Sequence, residues 1–142
     1  MTSPATVPTT SRSDVGLLVL RVILGVIFAA HGAQKIFMMG LAATSGMFAQ
    51  IGIPLPRLSA PAVALLEFGG GLALIAGLLT PLVALGLAID MLGAVLMVKA
   101  KGGFFAPRGA EYELLLCAAS VALGLTGAGA YSLDRVMRAR RG

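Results

Sequence analysis

Apolar residues dominate four long stretches of the chain, and polar residues gather in the segments between them. The four stretches are about residues 15–39, 59–79, 81–100 and 111–129. A helix rises about 1.5 Å per residue, so roughly 20 apolar residues are enough to cross a bilayer core of about 30 Å. The pattern therefore predicts an all-α membrane protein in which four transmembrane helices form a bundle.

The segments outside the predicted transmembrane domain, residues 15–131, are short. Residues 1–14 are rich in Ser, Thr and Pro, which predicts a disordered N-terminal tail. Between the first two crossings, residues 40–57 contain a short apolar edge followed by Gly52, and we expect a short interfacial helix there. Residues 132–142 are rich in arginine and are predicted to form a basic cytoplasmic tail.

The first apolar stretch carries polar residues on one side. At about 100° per residue, one stripe of the predicted helix holds Arg21, Gly25, Phe28, His31, Gly32 and Lys35. An ionisable side chain that faces lipid is penalised by roughly 2.5 to 3.5 kcal/mol on insertion scales, so we expect this stripe to face other helices. In the second crossing, Gly69, Ala73 and Gly77 form a ridge of small residues where another helix is expected to approach closely.

Composition supports this class of protein. Of the 142 residues, 58% are hydrophobic and 12% are charged, whereas about a quarter of a soluble domain is charged. The net charge is +5, and the arginine cluster at the C-terminus favours a cytoplasmic location for both termini. The basic character is typical of a contact with anionic lipid, and we expect no binding to nucleic acid.

The predicted crossings contain three basic and three acidic residues, namely Arg21, Lys35 and Lys99 together with Glu67, Asp90 and Glu113. A balanced set is what mutual pairing inside a membrane requires, because an unpaired buried charge is strongly destabilising. Counting residues from the helix ends places Arg21 level with Asp90 and His31 level with Glu67. We therefore predict these two buried pairs.

Two interpretations of the polar residues stay open, and they are compatible. In the first, the buried pairs hold the helices in their relative positions. In the second, a set of polar side chains lines a cavity that binds a polar head group and handles protons, the set being His31, Gln34, Lys35, Glu67 and Lys99. One histidine and one cysteine, Cys117, fall short of a usual ligand set, so no metal site is predicted. A covalently bound cofactor is not predicted either.

Several motifs resemble the DoxX family of small four-helix membrane proteins of bacteria. The first helix, LLVLRVILGVIFAAHGAQKIF, is similar to the family's opening signature. The segment GGFFAPRGAEYELLLCAASVALGLTGAGAYSLDRVM is similar to its later loop and helix, and Glu67 with the glycines that follow also matches. The resemblance covers about residues 15–137. Many members carry a histidine where this chain has Lys99, so the role of that imidazole does not transfer.

The resemblance implies a multi-pass protein of the bacterial cytoplasmic (inner) membrane with a link to redox chemistry. Relatives resemble the membrane part of a thiosulfate:quinone oxidoreductase, and others are associated with thiol-oxidant defence or with maturation of methylamine dehydrogenase. The leading hypothesis is a membrane subunit of an oxidoreductase system that binds a quinone-like or small sulfur-containing substrate, with the redox centre on a soluble partner enzyme. The alternatives are a non-catalytic scaffold that recruits soluble redox enzymes and a small-solute permease. Homo-oligomer formation is left open.

Overall fold

The computed structural model describes residues 10–141, and within them the chain is all-helical and contains no strand. The helices are α1 (Arg12–Ala33), α2 (Leu41–Ile51), α3 (Pro56–Ala76), α4 (Thr80–Ala94), α5 (Glu111–Thr126) and α6 (Leu133–Ala139). Two π-helical turns, Gln34–Met38 and Val95–Lys99, extend α1 and α4. Residues 1–9 of the predicted disordered tail lie outside the described residues, whereas residues 12–14 are already helical.

Three of these helices are long and apolar enough to cross a membrane: Arg12–Met38, Pro56–Ala76 and Thr80–Lys99. Helix α5 has 16 residues and is shorter than the roughly 20 that a full crossing needs, so the fourth crossing stays a prediction. Helix α2 lies where a short helix was expected and ends at Gly52, whose φ of 88° suits a glycine. Its position at the membrane surface also stays a prediction.

Two helix pairs make up the bundle, α1 with α3 and α4 with α5. The tight α3–α4 connection makes those two helices antiparallel neighbours. Helix α1 also packs antiparallel to α3, so α1 and α4 run in the same direction and end on the same side. Buried apolar side chains between the pairs form the core, including Leu24, Phe28, Leu74, Leu87, Leu116 and Leu123.

Glycines set the close contact between α1 and α3. A Cβ atom added to Gly25 would lie 2.6 Å from the carbonyl oxygen of Gly71, so neither position has room for a side chain. Gly32 packs in the same way on the backbone of Phe68. The predicted ridge was wrong at Gly69, which has no neighbour within 4 Å of a Cβ atom built on it, because the face of α3 that contacts α1 carries Phe68, Gly71 and Ile75.

The segment that follows α5 covers the end of the bundle where α1 and α4 begin, which is called the closed end below. Asp134 of α6 accepts hydrogen bonds from the backbone nitrogens of Leu79 at 2.7 Å and Thr80 at 2.9 Å, where α4 begins. Asp14 of α1 accepts one from Ala130 at 2.8 Å. Most of the predicted basic tail is therefore a short helix that is held against the bundle by the hydrogen bonds of Asp134.

Candidate functional site

A cavity of about 400 Å³ lies between the two helix pairs, toward the end where α1 and α4 finish. This volume is typical of a small-molecule site. Much of its wall is apolar and includes Phe28, Met47, Phe48, Met91, Met97 and Leu116. The polar side chains in the wall are His31, Lys35, Glu67, Asp90, Tyr112 and Glu113. The cavity thus combines an apolar surface with ionisable groups inside the bundle.

Lys35 and Glu67 form an ion pair in this wall, with Lys35 Nζ 2.5 Å from Glu67 Oε2. Glu67 lies in the middle of α3 and is 3% exposed. Lys35 lies in the π-helical turn after α1, and such turns are rare and occur frequently at functional sites. The ion pair joins α1 to α3 beside the cavity and compensates the buried charge of Glu67.

The predicted pair of His31 with Glu67 was wrong. His31 and Lys35 are one helical turn apart on the same face, and the longer lysine side chain with its permanent charge reaches the carboxylate. His31 instead lies against Tyr112 of α5, with a distance of 6.3 Å between the ring centroids. Both residues are exposed in part and line the cavity, so they form its rim between α1 and α5.

A second ion pair joins the other two helices of the bundle. Lys99 Nζ lies 3.4 Å from Glu113 Oε1, and it also donates a hydrogen bond of 2.8 Å to the carbonyl oxygen of Pro107. Lys99 lies in the π-helical turn after α4, as Lys35 does after α1. Each helix pair is therefore bridged by one lysine and one glutamate at the same end of the molecule.

Two carboxylate oxygens at the cavity lack a hydrogen-bond partner in the described part of the chain. They are Asp90 Oδ2 of α4 and Glu113 Oε2 of α5, and both atoms are buried. Asp90 lies close enough to Lys35 and Glu67 to interact with their charges, but it forms no ion pair among residues 10–141. The site thus contains three carboxyl groups and two lysines, and the two lysines are paired with Glu67 and Glu113.

The predicted pair of Arg21 with Asp90 was also wrong. Arg21 is 2% exposed and donates hydrogen bonds to the carbonyl oxygens of Ala128 at 2.8 Å and Tyr131 at 2.6 Å, far along the chain after α5. The prediction assumed that α1 and α4 begin at one depth. Arg21 packs on Gly77, at the end of α3, so it lies at the closed end of the bundle. Asp90 instead lines the cavity, toward the other end.

The structure brings together three of the five predicted binding residues, since His31, Lys35 and Glu67 line the cavity. Gln34 is exposed and does not line it. Lys99 reaches the site only through Glu113. Within residues 10–141, no three His, Cys, Asp or Glu side chains are grouped as a metal site would require.

Sequence reasoning missed Tyr112 as part of the site and assigned Asp90 and Glu113 only to buried pairs. A signal for Tyr112 was present, because it lies between two glutamates at the start of α5. For Asp90 no signal in the sequence distinguishes a paired carboxylate from an unpaired one.

Apolar outward faces and three helices of membrane-spanning length define a helical integral membrane protein, and a cavity with polar groups in its wall lies between its helix pairs. The sequence profile of the DoxX family matches residues 16–100. The chain therefore belongs to the DoxX family.

Full-length relatives agree with this assignment. The chain is 38% identical to "Putative oxidoreductase CatD" of Bacillus subtilis over 121 residues, which cover 85% of this chain and 86% of the relative. It is 36% identical to the inner membrane protein YqjF of Escherichia coli, covering 87% of this chain and 93% of the relative. An uncharacterized membrane protein of Mycobacterium tuberculosis is 32% identical, with 87% and 82% covered. No solved structure matches the chain.

Proposed function

We propose that this protein is a membrane subunit of a redox system and that its cavity binds a quinone-type molecule. The observation that carries the proposal is the cavity itself, in which an apolar wall meets the Lys35–Glu67 ion pair and the unpartnered oxygen of Asp90. A quinone has an apolar ring and tail and a polar head, so it suits a site built in this way. The oxidoreductase name of the Bacillus relative supports a redox role.

Each polar residue of the cavity has a role in this proposal. Lys35 donates a hydrogen bond to an oxygen of the bound head group, and Glu67 holds the lysine in position. Asp90 lies beside Glu67 in the same wall, where its carboxyl group gives a proton to the quinone on reduction and takes one from the hydroquinone on oxidation. His31 and Tyr112 form the rim through which the molecule enters from the lipid between α1 and α5.

The redox centre belongs to a soluble partner enzyme in this proposal, and the membrane subunit supplies the binding site for the lipid-soluble substrate. Both termini lie in the cytoplasm, where the exposed arginines of α6 and the residues after it are available to anionic lipid or to the partner. The protein resides in the bacterial inner membrane, as the name of the Escherichia relative states for that protein.

A scaffold without a ligand is the competing function, and the exposed Arg135 and Arg138 on α6 are the observation that favours it. Helix α6 is fastened to the bundle by Asp134, so it presents these side chains in a fixed position. In that case the cavity has no ligand and the polar groups only stabilise the fold.

Binding of a short-chain menaquinone or ubiquinone analogue to the purified protein in lipid nanodiscs separates the two functions. The wild type is compared with His31→Ala and Glu67→Gln, and with Glu111→Gln as the matched control. Glu111 accepts a hydrogen bond from Ala106 at 2.7 Å and is not part of the cavity wall. Saturable binding that the two cavity variants lose while they remain folded at the temperature of the assay, and that the control keeps, supports the quinone site. Absence of saturable binding to the wild type contradicts it.

A further inference from the structure

A second cavity, of about 500 Å³, lies at the closed end of the bundle, opposite the cavity of the proposed function. The end of α5, the turn that follows it and one face of α6 form its wall. Pro81, in the first turn of α4, also lines it, and α4 belongs to the helices that are long and apolar enough to cross a membrane. The headgroups of the surrounding lipid lie at the ends of such helices, so this cavity is at headgroup depth.

Buried polar contacts give this wall a fixed shape. Arg21 donates hydrogen bonds to the carbonyl oxygens of Ala128 and Tyr131, both in the turn between α5 and α6. The hydroxyl group of Ser132 donates a hydrogen bond of 2.8 Å to the carbonyl oxygen of Gly129 in the same turn. The turn is therefore formed before any ligand binds, which lowers the entropy cost of binding.

The two carboxylates of the wall already have donors from the chain. Asp134 accepts two hydrogen bonds from backbone nitrogens where α4 begins, and it lies close enough to Arg21 to interact with its charge. Asp14 accepts hydrogen bonds from the backbone nitrogens of Ala130 at 2.8 Å and Ser11 at 2.9 Å. Neither carboxylate therefore requires an arginine of α6 as its partner.

The cations in the wall are Arg135 and Arg138, which lie one helical turn apart on α6. Both are exposed, and within residues 10–141 neither side chain forms an ion pair or a hydrogen bond. Arg135 interacts with the charge of Asp14 without forming an ion pair. Together with Arg21 behind the wall, three arginines face two aspartates, which leaves one excess positive charge at the cavity.

A phosphodiester group complements this cavity. It carries one negative charge and several acceptor oxygens, which match the donor fork of an arginine side chain. Apolar side chains flank the arginines, since Leu125 lines the cavity and is 83% exposed, and Leu82, which follows Pro81, is 68% exposed. These outward-facing side chains suit the acyl chains of a lipid, whereas a soluble phosphate ester gains nothing from them. The combination favours a phospholipid over a soluble anion.

We propose that the closed-end cavity binds the phosphate group of an anionic phospholipid, such as phosphatidylglycerol, through Arg135 and Arg138. The acyl chains of that lipid lie along Leu82 and Leu125, on the outward faces of α4 and α5. The proposal does not rest on the quinone site, because the two cavities lie at opposite ends of the bundle. The bound lipid holds α6 at the membrane surface and occupies the arginines that the scaffold alternative assigns to a partner enzyme.

Native mass spectrometry of the delipidated full chain in detergent micelles tests the proposal, because it counts the lipids bound to each chain. The probes are dioctanoyl phosphatidylglycerol, which has a net negative charge, and dioctanoyl phosphatidylethanolamine, which has the same acyl chains and a phosphate but no net charge. We expect a single phosphatidylglycerol per chain, bound about tenfold more tightly than phosphatidylethanolamine.

Two double variants separate the cavity from the general basic character of the C-terminus. Arg135→Gln with Arg138→Gln removes both cations of the wall, and we expect it to weaken binding of phosphatidylglycerol by about tenfold or more. Arg140→Gln with Arg141→Gln removes the same charge from the same end of the chain, outside the cavity wall, and should change binding by less than about threefold. The four side chains are exposed, so each variant should keep its melting temperature without lipid.

Four results overturn the proposal. Absence of binding of either lipid would show that the cavity is not a lipid site. Equal binding of the two lipids would show that it does not select a net negative charge. An equal loss in the two double variants would show that the lipid binds to the diffuse charge of the C-terminus instead of the cavity. Displacement of the lipid by an equal concentration of glycerol 3-phosphate would assign the cavity to a soluble phosphate ester.

Discussion

Lys35 Nζ lies 2.5 Å from Glu67 Oε2, and this contact ties the π-helical turn after α1 to the middle of α3 beside the cavity. The side chains are 16% and 4% exposed, so both charges are largely removed from solvent. A buried ion pair contributes little over an apolar pair, but the loss of one partner leaves an uncompensated charge.

Removal of either partner should therefore destabilise the protein more than removal of both. We expect Lys35→Met or Glu67→Leu to cost about 3 to 5 kcal/mol of unfolding free energy, and the double variant to recover most of that loss. Melting temperatures in detergent measure the order of the variants, with the exposed Lys101→Met as the control. Additive losses in the double variant would contradict the pairing.

The glycine contact between α1 and α3 predicts a position-specific effect of alanine. A Cβ atom at Gly71 would collide with the backbone of α1 at Gly25 and Ala29, so Gly71→Ala should cost about 1 to 3 kcal/mol through overpacking. Gly69→Ala has open space and should be neutral or stabilising by up to about 1 kcal/mol, because alanine favours helix. Thermal unfolding of the two variants side by side is the measurement, and equal effects would refute the packing.

The closed end of the bundle depends on Asp134. Asp134→Ala removes the acceptor for the backbone nitrogens of Leu79 and Thr80, and Thr80 is fully buried, so we expect a loss of about 1 to 3 kcal/mol. Release of α6 should also speed trypsin cleavage after Arg135. The exposed Arg138→Ala is the control for stability. Unchanged melting and cleavage would mean that α6 is not held by this contact.

The fourth crossing can be tested by labelling. In a Cys117→Ala background, single cysteines replace Arg108 before α5 and Arg138 after it. A membrane-impermeant maleimide should label position 108 in intact cells and position 138 only in inverted vesicles, because α5 then separates them and the C-terminus is cytoplasmic. Labelling of both positions from the same side would show that α5 does not cross the membrane.

The sequence was sufficient to predict the helical class and the face of the first helix that turns inward. Arg21, Gly25, Phe28 and Gly32 are buried, as the stripe required. These features depend on hydropathy and on the period of one helix, both of which are local properties. The family assignment also followed from local motifs.

The pairing of the buried charges could not be predicted, because it depends on the relative depth of the helices. That depth is set by the contact of Gly25 with Gly71, and it moves Arg21 to the closed end and away from Asp90. The π-helical turn that carries Lys35 is likewise not evident in the residue pattern. Tyr112 belongs to the site because α5 lies against α1 there, and this packing is not evident in the residue pattern.

The central claim is that the space between the two helix pairs is the binding site for a quinone-type molecule. The most direct test is photolabelling of the nanodisc-embedded protein with an azido-quinone, followed by mass spectrometry of the labelled peptides. The account predicts that label falls on cavity residues such as Met91, Met97 and Leu116 and that unlabelled quinone prevents it. Label confined to outward-facing residues such as Leu72 and Leu82, which excess quinone does not displace, would contradict it.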